Sequence, residues 1–108
     1  MIDPKLEHEI MLMHNRVCYG IADPKRVLML YALENGPLCV GELCDELKMS
    51  QTAASRHLRV LRERNLVKAD RQGPSVYYEL ADHRVIEALN LLRGVLASQL
   101  AAERDISR

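Results

Sequence analysis

The hydrophobic positions of this chain form five helical stripes and one alternating stretch. From Pro4 to about Gly20, Leu6, Ile10, Met13 and Val17 recur at spacings of three and four, and Ile21 extends the series, which predicts a helix with one apolar face. Asp23-Pro24 opens a second helix, with Asp at the cap and Pro at the first helical position. Val27, Leu28, Leu30, Tyr31 and Leu33 supply its apolar side, and Asn35-Gly36-Pro37 stops it. A short third helix runs from about Val40 to Lys48, with Val40, Leu43 and Leu47 inward. Ser50 caps a fourth, ending near Asn65, in which Ala54, Leu58 and Leu61 follow one another at i, i+4 and i+7. The period then falls to two. Leu66 to Asp70 and Ser75 to Leu80, joined by a turn at Gln72-Gly73-Pro74, read as a β-hairpin whose proline suits a loop end. Asp82 caps a long last helix striped with Val85, Ile86, Leu89, Leu92, Leu96 and Leu100.

This pattern predicts a mainly α fold with a small β-hairpin, in the order α-α-α-α-β-β-α, as one domain over residues 1–108. Helices three and four, joined by Met49-Ser50-Gln51, form a helix-turn-helix, and the hairpin forms its wing. The last stripe extends past anything a domain of this size can cover. With the first helix it predicts a two-fold homodimer interface.

The fourth helix has a second face. Thr52, Ser55, Arg56, Arg59 and Arg62 lie opposite its apolar stripe, with short hydrogen-bonding side chains near the start and arginines further along. Entry into a DNA major groove calls for such a face, because short polar groups reach base edges and cations meet phosphates. The chain's net charge is zero, yet from Ser50 to Arg71 six cations (Arg56, Arg59, Arg62, Arg64, Lys68, Arg71) face two anions (Glu63, Asp70), a local charge of +4. Acids elsewhere, among them Glu42, Asp45, Glu46, Glu79, Asp82 and Glu87, restore the balance. A basic stripe on a neutral protein predicts local contact with the phosphates of double-stranded DNA; the alternative, a winged-helix protein-interaction module that does not read DNA, is opposed by the arginines of helix four.

Other classes find little support. No Ser-His-Asp arrangement, phosphate loop or paired-carboxylate motif marks an enzyme. No uninterrupted apolar run approaches the roughly 18 residues of a membrane span, and charges throughout Met1–Arg16 exclude a secretory leader there. A cytoplasmic protein with no membrane partner is expected. Nearly half the residues are hydrophobic, but Trp and Phe are absent, so Leu, Val, Ile and Met fill the core. Three cysteines, an odd number, do not make a disulfide scaffold. In a reducing cytosol they are packing residues, metal ligands or redox groups.

Taken together, A-D-P-K-R-V-L-M-L at Ala22–Leu30, G-P-L-C-V-G-E-L-C-D-E-L at Gly36–Leu47, S-Q-T-A-A-S-R-H-L-R-V-L-R at Ser50–Arg62, N-L-V at Asn65–Val67 and Q-G-P-S-V-Y-Y-E-L at Gln72–Leu80 resemble the ArsR/SmtB family of winged-helix repressors. The resemblance implies a homodimer that binds a palindromic operator and represses transcription until an inducer binds. By position it implies that Ser50, Gln51, Thr52, Ser55, Arg56, His57 and Arg59 face DNA, with Gln51 and Thr52 at the helix start nearest base edges. His57, beside Leu58, equally suits a packed core histidine. Arg71 and Gln72 are expected at the wing. The family often has Arg two residues after Gln72, where this chain has Pro74.

The family's inducers include zinc, arsenic, cadmium, lead, oxidants and sulfur species. Its zinc site across the last helices begins well at Asp82 and His83. Arg84 then takes an expected ligand position, and Val95 and Ser98 the later pair, which cannot bind zinc; Asp82 reads as a cap. The cysteine box of the arsenic and cadmium sensors is matched at Cys39, replaced at Gly41, and followed by an extra Cys44. Thiolates suit As(III) and other thiophilic ions. Five residues on a helix subtend about 140°, so Cys39 and Cys44 meet only if Cys39 precedes the helix or the helix distorts. Cys18 would join them through the dimer interface. A thiol redox or persulfide switch and purely structural cysteines are the alternatives. The family's sulfur sensors place cysteines in helix two and the last helix, and this chain has neither.

Overall fold

The computed structural model describes residues 1–106, with the side chain of Ile106 outside the description. Helix α1 (Pro4–Met13) begins at Asp3, whose carboxylate accepts the Lys5 N–H at 3.0 Å. It passes into a π-helical segment, His14–Cys18, so the second half of the single predicted helix widens to i→i+5 hydrogen bonding. Helix α2 (Pro24–Ala32) starts as its Asp-Pro pair predicts, with Asp23 accepting the Lys25 N–H at 2.8 Å. It ends three residues before Asn35. Helix α3 (Val40–Leu47) and helix α4 (Gln51–Glu63) flank a left-handed turn at Lys48, φ +53°. Strands β2 (Val67–Gln72) and β3 (Ser75–Leu80) form the wing, and helix α5 (Arg84–Ile106) follows it.

One strand was not expected. Leu38–Cys39 forms β1 and pairs antiparallel with β3, Leu38 opposite Tyr78 and Cys39 opposite Tyr77, giving a three-stranded sheet in the order β1-β3-β2. Two residues between a Gly-Pro turn and a helix carry no periodic signal, and only the presence of β3 makes them a strand. The hairpin itself is tighter than the expected three-residue turn. Gln72 pairs with Ser75, leaving Gly73 and Pro74 as the two turn residues, with Gly73 at φ +63° as such turns require at their first position. Pro74 thus costs the ladder no hydrogen bond.

The core lies where α2, α3, α4 and the wing meet. Met29, Leu30, Leu33, Leu43, Ala54, Leu58 and Leu61 are at most 1% exposed, and Leu66, Val67, Leu80, Ile86 and Leu89 close the cluster. Each buried leucine contributes roughly 1.5–3 kcal/mol, so the stripe of α4 is held from behind while its polar face stays free. Tyr31 of α2 reaches α5, donating to Asn90 Oδ1 at 2.7 Å.

Two apolar surfaces remain uncovered. On α1, Leu6, Ile10, Met11, Leu12 and Met13 are exposed, and on α5 so are Leu91, Leu92, Val95, Leu96 and Leu100. By length and composition the stretch Arg84–Asp105 is also long and apolar enough to cross a membrane, with a mean hydropathy of 1.3 over its most apolar 18 residues. It is not an uninterrupted apolar run, because Glu87 and Arg93 break the series without lowering its average far.

Candidate nucleic-acid interface

The start of α4 is built by its own cap. Ser50 Oγ accepts the Ala53 N–H at 3.1 Å, which satisfies one of the free donors at the helix start. Part of the Ser50 side chain's capacity is therefore spent within the protein. Beyond it, Gln51, Thr52, Ser55, Arg56, Arg59 and Arg62 are all exposed, opposite the buried Ala54, Leu58 and Leu61. Arg59 lies 3.6 Å from Glu63, but both side chains are well exposed (82% and 63%), so this pair gives way readily to a phosphate.

His57 departs from that set. It is half-buried. The Asp23 carboxyl at the cap of α2 is held below its ordinary range by the Lys25 N–H first, and then by the charges of His57 and Arg26. Half-burial sets this histidine apart from the exposed Ser55, Arg56 and Arg59.

At the wing, Arg71 and Gln72 are both exposed. Successive strand residues point to opposite faces, so the two cannot line one surface together. Gln72 shares its face with Asp70, to which its Nε2 donates at 3.2 Å, and Lys68 stands opposite Glu79 in the ladder. The cationic contribution of the wing tip is thus Arg71, with Asp70 beside it in the strand.

The three cysteines are free and half-buried. Cys39 lies ahead of α3, extended at φ −86° and ψ 170°, in the position its geometry requires for any approach to Cys44. Its N–H donates to Glu42 Oε1 at 3.0 Å, and that bond, followed by one from the Cys39 thiol, lowers the Glu42 carboxyl below its ordinary range. Cys44 packs against the core cluster from α3. Cys18 ends the π-helical segment and lines a cavity of about 460 Å³ with His14, Asn15, Tyr19, Ala22 and Arg64. Among the described residues, no three His, Cys, Asp or Glu side chains come together as a metal-binding group. A three-thiolate site from Cys18, Cys39 and Cys44 is therefore not preformed in one chain. At the head of α5, Asp82 Oδ1 accepts the Arg84 N–H at 2.9 Å and the Arg84 guanidinium approaches its Oδ2 to 2.7 Å, as a cap and ion pair. The side-chain hydrogen bond from Arg84, with its N–H next in weight, lowers the Asp82 carboxyl to about 2.

Comparison with known proteins agrees with this geometry. The family model for bacterial regulatory proteins of the arsR family matches residues 23–69, from the cap of α2 into the wing. A transcriptional repressor SmtB homolog of Synechocystis sp. is 45% identical over 76 residues, which are 70% of this chain and 55% of that protein. The chain thus spans little more than half the length of that relative. The arsenical resistance operon repressor of Bacillus subtilis is 31% identical over 78 residues, covering 71% of this chain and 74% of its own. Among solved structures, a homodimeric winged helix-turn-helix DNA-binding domain from Mycobacterium bovis, described as a possible ArsR-family regulator, superposes with a TM-score of 0.76 at 26% identity, covering 92% and 91% of the two chains. The first two are transcriptional repressors rather than enzymes. Helix order, wing and matched segments coincide, and the chain belongs to the ArsR/SmtB family of winged helix-turn-helix regulators.

Proposed function

We propose that this chain is a cytoplasmic transcriptional repressor that binds a palindromic operator as a homodimer and is released by a thiol-directed inducer. The observation that carries the DNA reading is the face of α4. Gln51, Thr52, Ser55, Arg56 and Arg59 are exposed together on a helix whose opposite side is locked into the core. Gln51 and Thr52 read base edges near the helix start, Arg56 and Arg59 meet phosphates, and Arg71 adds a wing contact. Ser50 sets the helix start through its cap, and His57 supports α4 from within.

The homodimer reading rests on the uncovered leucines of α1 and α5, and the homodimeric Mycobacterium bovis domain supports it. It also gives the long apolar α5 an occupant other than a bilayer. Two recognition helices related by a two-fold axis read two half-sites about one helical turn apart.

For the inducer, As(III) or another thiophilic ion acting through Cys39 and Cys44, with Cys18, is the favoured class. The free, half-buried state of the three cysteines supports it, as does similarity to a repressor named for arsenical resistance. Since no three donors converge in one chain, such an ion would have to draw on a rearranged α3 cap or on both protomers. A redox switch between two of the thiols is the alternative that the same cysteines serve.

The decisive measurement is affinity for the protein's own promoter duplex against an unrelated duplex, over a range of salt. We expect log K to fall steeply with log salt for both duplexes and to favour the promoter. Affinity that ignores both salt and sequence would sink the repressor reading.

A further inference from the structure

The junction that ends the recognition helix and begins the wing is gripped by a third element. Arg64 caps α4, and Asn65 after it turns left-handed at φ +60°, so the chain leaves α4 and enters β2 within three residues. Such a conformation is uncommon for a residue other than glycine and persists where its surroundings hold it. Part of the hold is local: Asn65 N–H donates to Arg62 O at 3.0 Å and Leu66 N–H to Leu61 O at 2.9 Å. The rest comes from the second half of the first helix. The Arg64 guanidinium lies 4.3 Å above the Tyr19 ring, and its Nη1 donates to Asn15 O at 2.9 Å, inside the π-helical segment. A β-carbon on the buried Gly20 would run into Leu66 Cδ1 and lie 3.6 Å from Arg64 Cβ, so glycine allows the close approach.

Tyr19 is held in turn. Arg26 of α2 stands 5.6 Å from its ring, donating through Nε to Gly20 O at 2.8 Å and through Nη2 to Tyr19 O at 2.9 Å. Asn15, Tyr19 and Gly20 thus touch both sides of Asn65, and α2 locks them in place. Neither α4 nor the wing can rotate against α1 without breaking these contacts. Earlier along the same helix lie the exposed apolar residues that the proposed dimer would cover.

We infer that Tyr19 and Arg64 are positioning residues for operator recognition, setting the angle at which α4 and the wing leave the helix that meets the second protomer. The inference rests on the repressor reading. It assigns Tyr19 no contact with DNA. Tyr19 acts on affinity only through the spacing of the two recognition helices, so its loss affects a specific, two-half-site complex more than non-specific binding.

The test compares wild type, Tyr19→Ala, Tyr19→Phe and Arg64→Ala on the promoter duplex and an unrelated duplex, with amide hydrogen exchange of the free proteins alongside. Tyr19→Ala should lose about tenfold in promoter affinity, within the usual range for coupling between sites, and change unrelated-duplex affinity less than about twofold. Tyr19→Phe keeps the ring face and should restore wild-type behaviour. Exchange at Arg64–Val67 should quicken in Tyr19→Ala and Arg64→Ala but not in Tyr19→Phe. The proposal is overturned if Tyr19→Ala binds both duplexes as wild type does, if it loses both equally, or if exchange at the junction is unchanged. Wild-type protein without sequence preference would instead sink the repressor reading itself, and the exchange experiment would still decide whether the grip exists.

Discussion

Cys39 stands opposite Tyr77 in the pairing of β1 with β3, while the same cysteine occupies the cap of α3. One residue therefore joins the helix that supports the recognition helix to the inner strand of the wing. Any group bonded to the Cys39 sulfur has two routes to the DNA-facing surface, through the packing of α3 on α4 and through the sheet. Induction from this position would move both reading elements at once.

Reduced protein titrated with As(III), Cd(II), Pb(II) and Zn(II) should develop a thiolate charge-transfer band with at least one of the softer ions and lose its promoter duplex in step. Cys39→Ser should abolish both effects. Absence of a band with every ion, with operator binding intact, would reject the thiophile reading. Loss of binding on mild oxidation, reversed by dithiothreitol, would favour the redox alternative.

On DNA, Gln51→Ala and Arg56→Ala should fail differently. Gln51 sits in the first turn, and its loss should cost about 1–3 kcal/mol of discrimination at the base it reads, with little change for unrelated duplex. Arg56→Ala should weaken both duplexes alike and reduce the salt slope by about one. Equal behaviour of the two variants would contradict the assignment of base and phosphate roles.

Exposure separates two kinds of leucine. Leu61 is fully buried and Leu96 is 53% exposed in the single chain. Leu61→Ala should destabilise the fold by about 2–5 kcal/mol. Leu96→Glu should leave secondary structure intact, shift sedimentation toward the monomer and weaken the promoter complex. A Leu96→Glu protein that remains dimeric would move the interface away from α5.

Acid should release the cap of α5. Asp82 has a folded pKa of about 2 against an ordinary 3.8, because its carboxylate is bonded to the Arg84 side chain and N–H. A group depressed in the folded state stabilises above its unfolded value and loses that contribution as pH falls through the folded one. The difference in Tm between wild type and Asp82→Asn should therefore be full above about pH 5 and vanish as pH falls below about 2. Since the pair is exposed, the difference should be small and should shrink further in salt. A difference that grows on acidification would contradict the ion pair.

Much of the fold was legible because its signals are local. Asp23-Pro24, Ser50 and Asp82 mark helix starts by their own hydrogen bonds, and the Ala54-Leu58-Leu61 stripe needs only the helical period. The exposed set Gln51, Thr52, Ser55, Arg56 and Arg59 followed by subtraction. What stayed hidden depends on a partner distant in sequence. Leu38-Cys39 is a strand only beside β3, and the grip on Arg64 needs Tyr19, 45 residues earlier and past a π-helical segment with no signature in composition.

By itself, then, the order of residues determined the long helices, the hairpin, the caps and the two-faced recognition helix, since periodicity and capping act within a few positions. The tertiary structure alone decided that His57 is half-buried, that Gln72 is tied to Asp70, and that three cysteines spread over the π-helical segment, β1 and α3 do not converge within one chain. Those outcomes depend on how elements pack, and packing brings together side chains whose separation along the sequence carries no trace of their meeting.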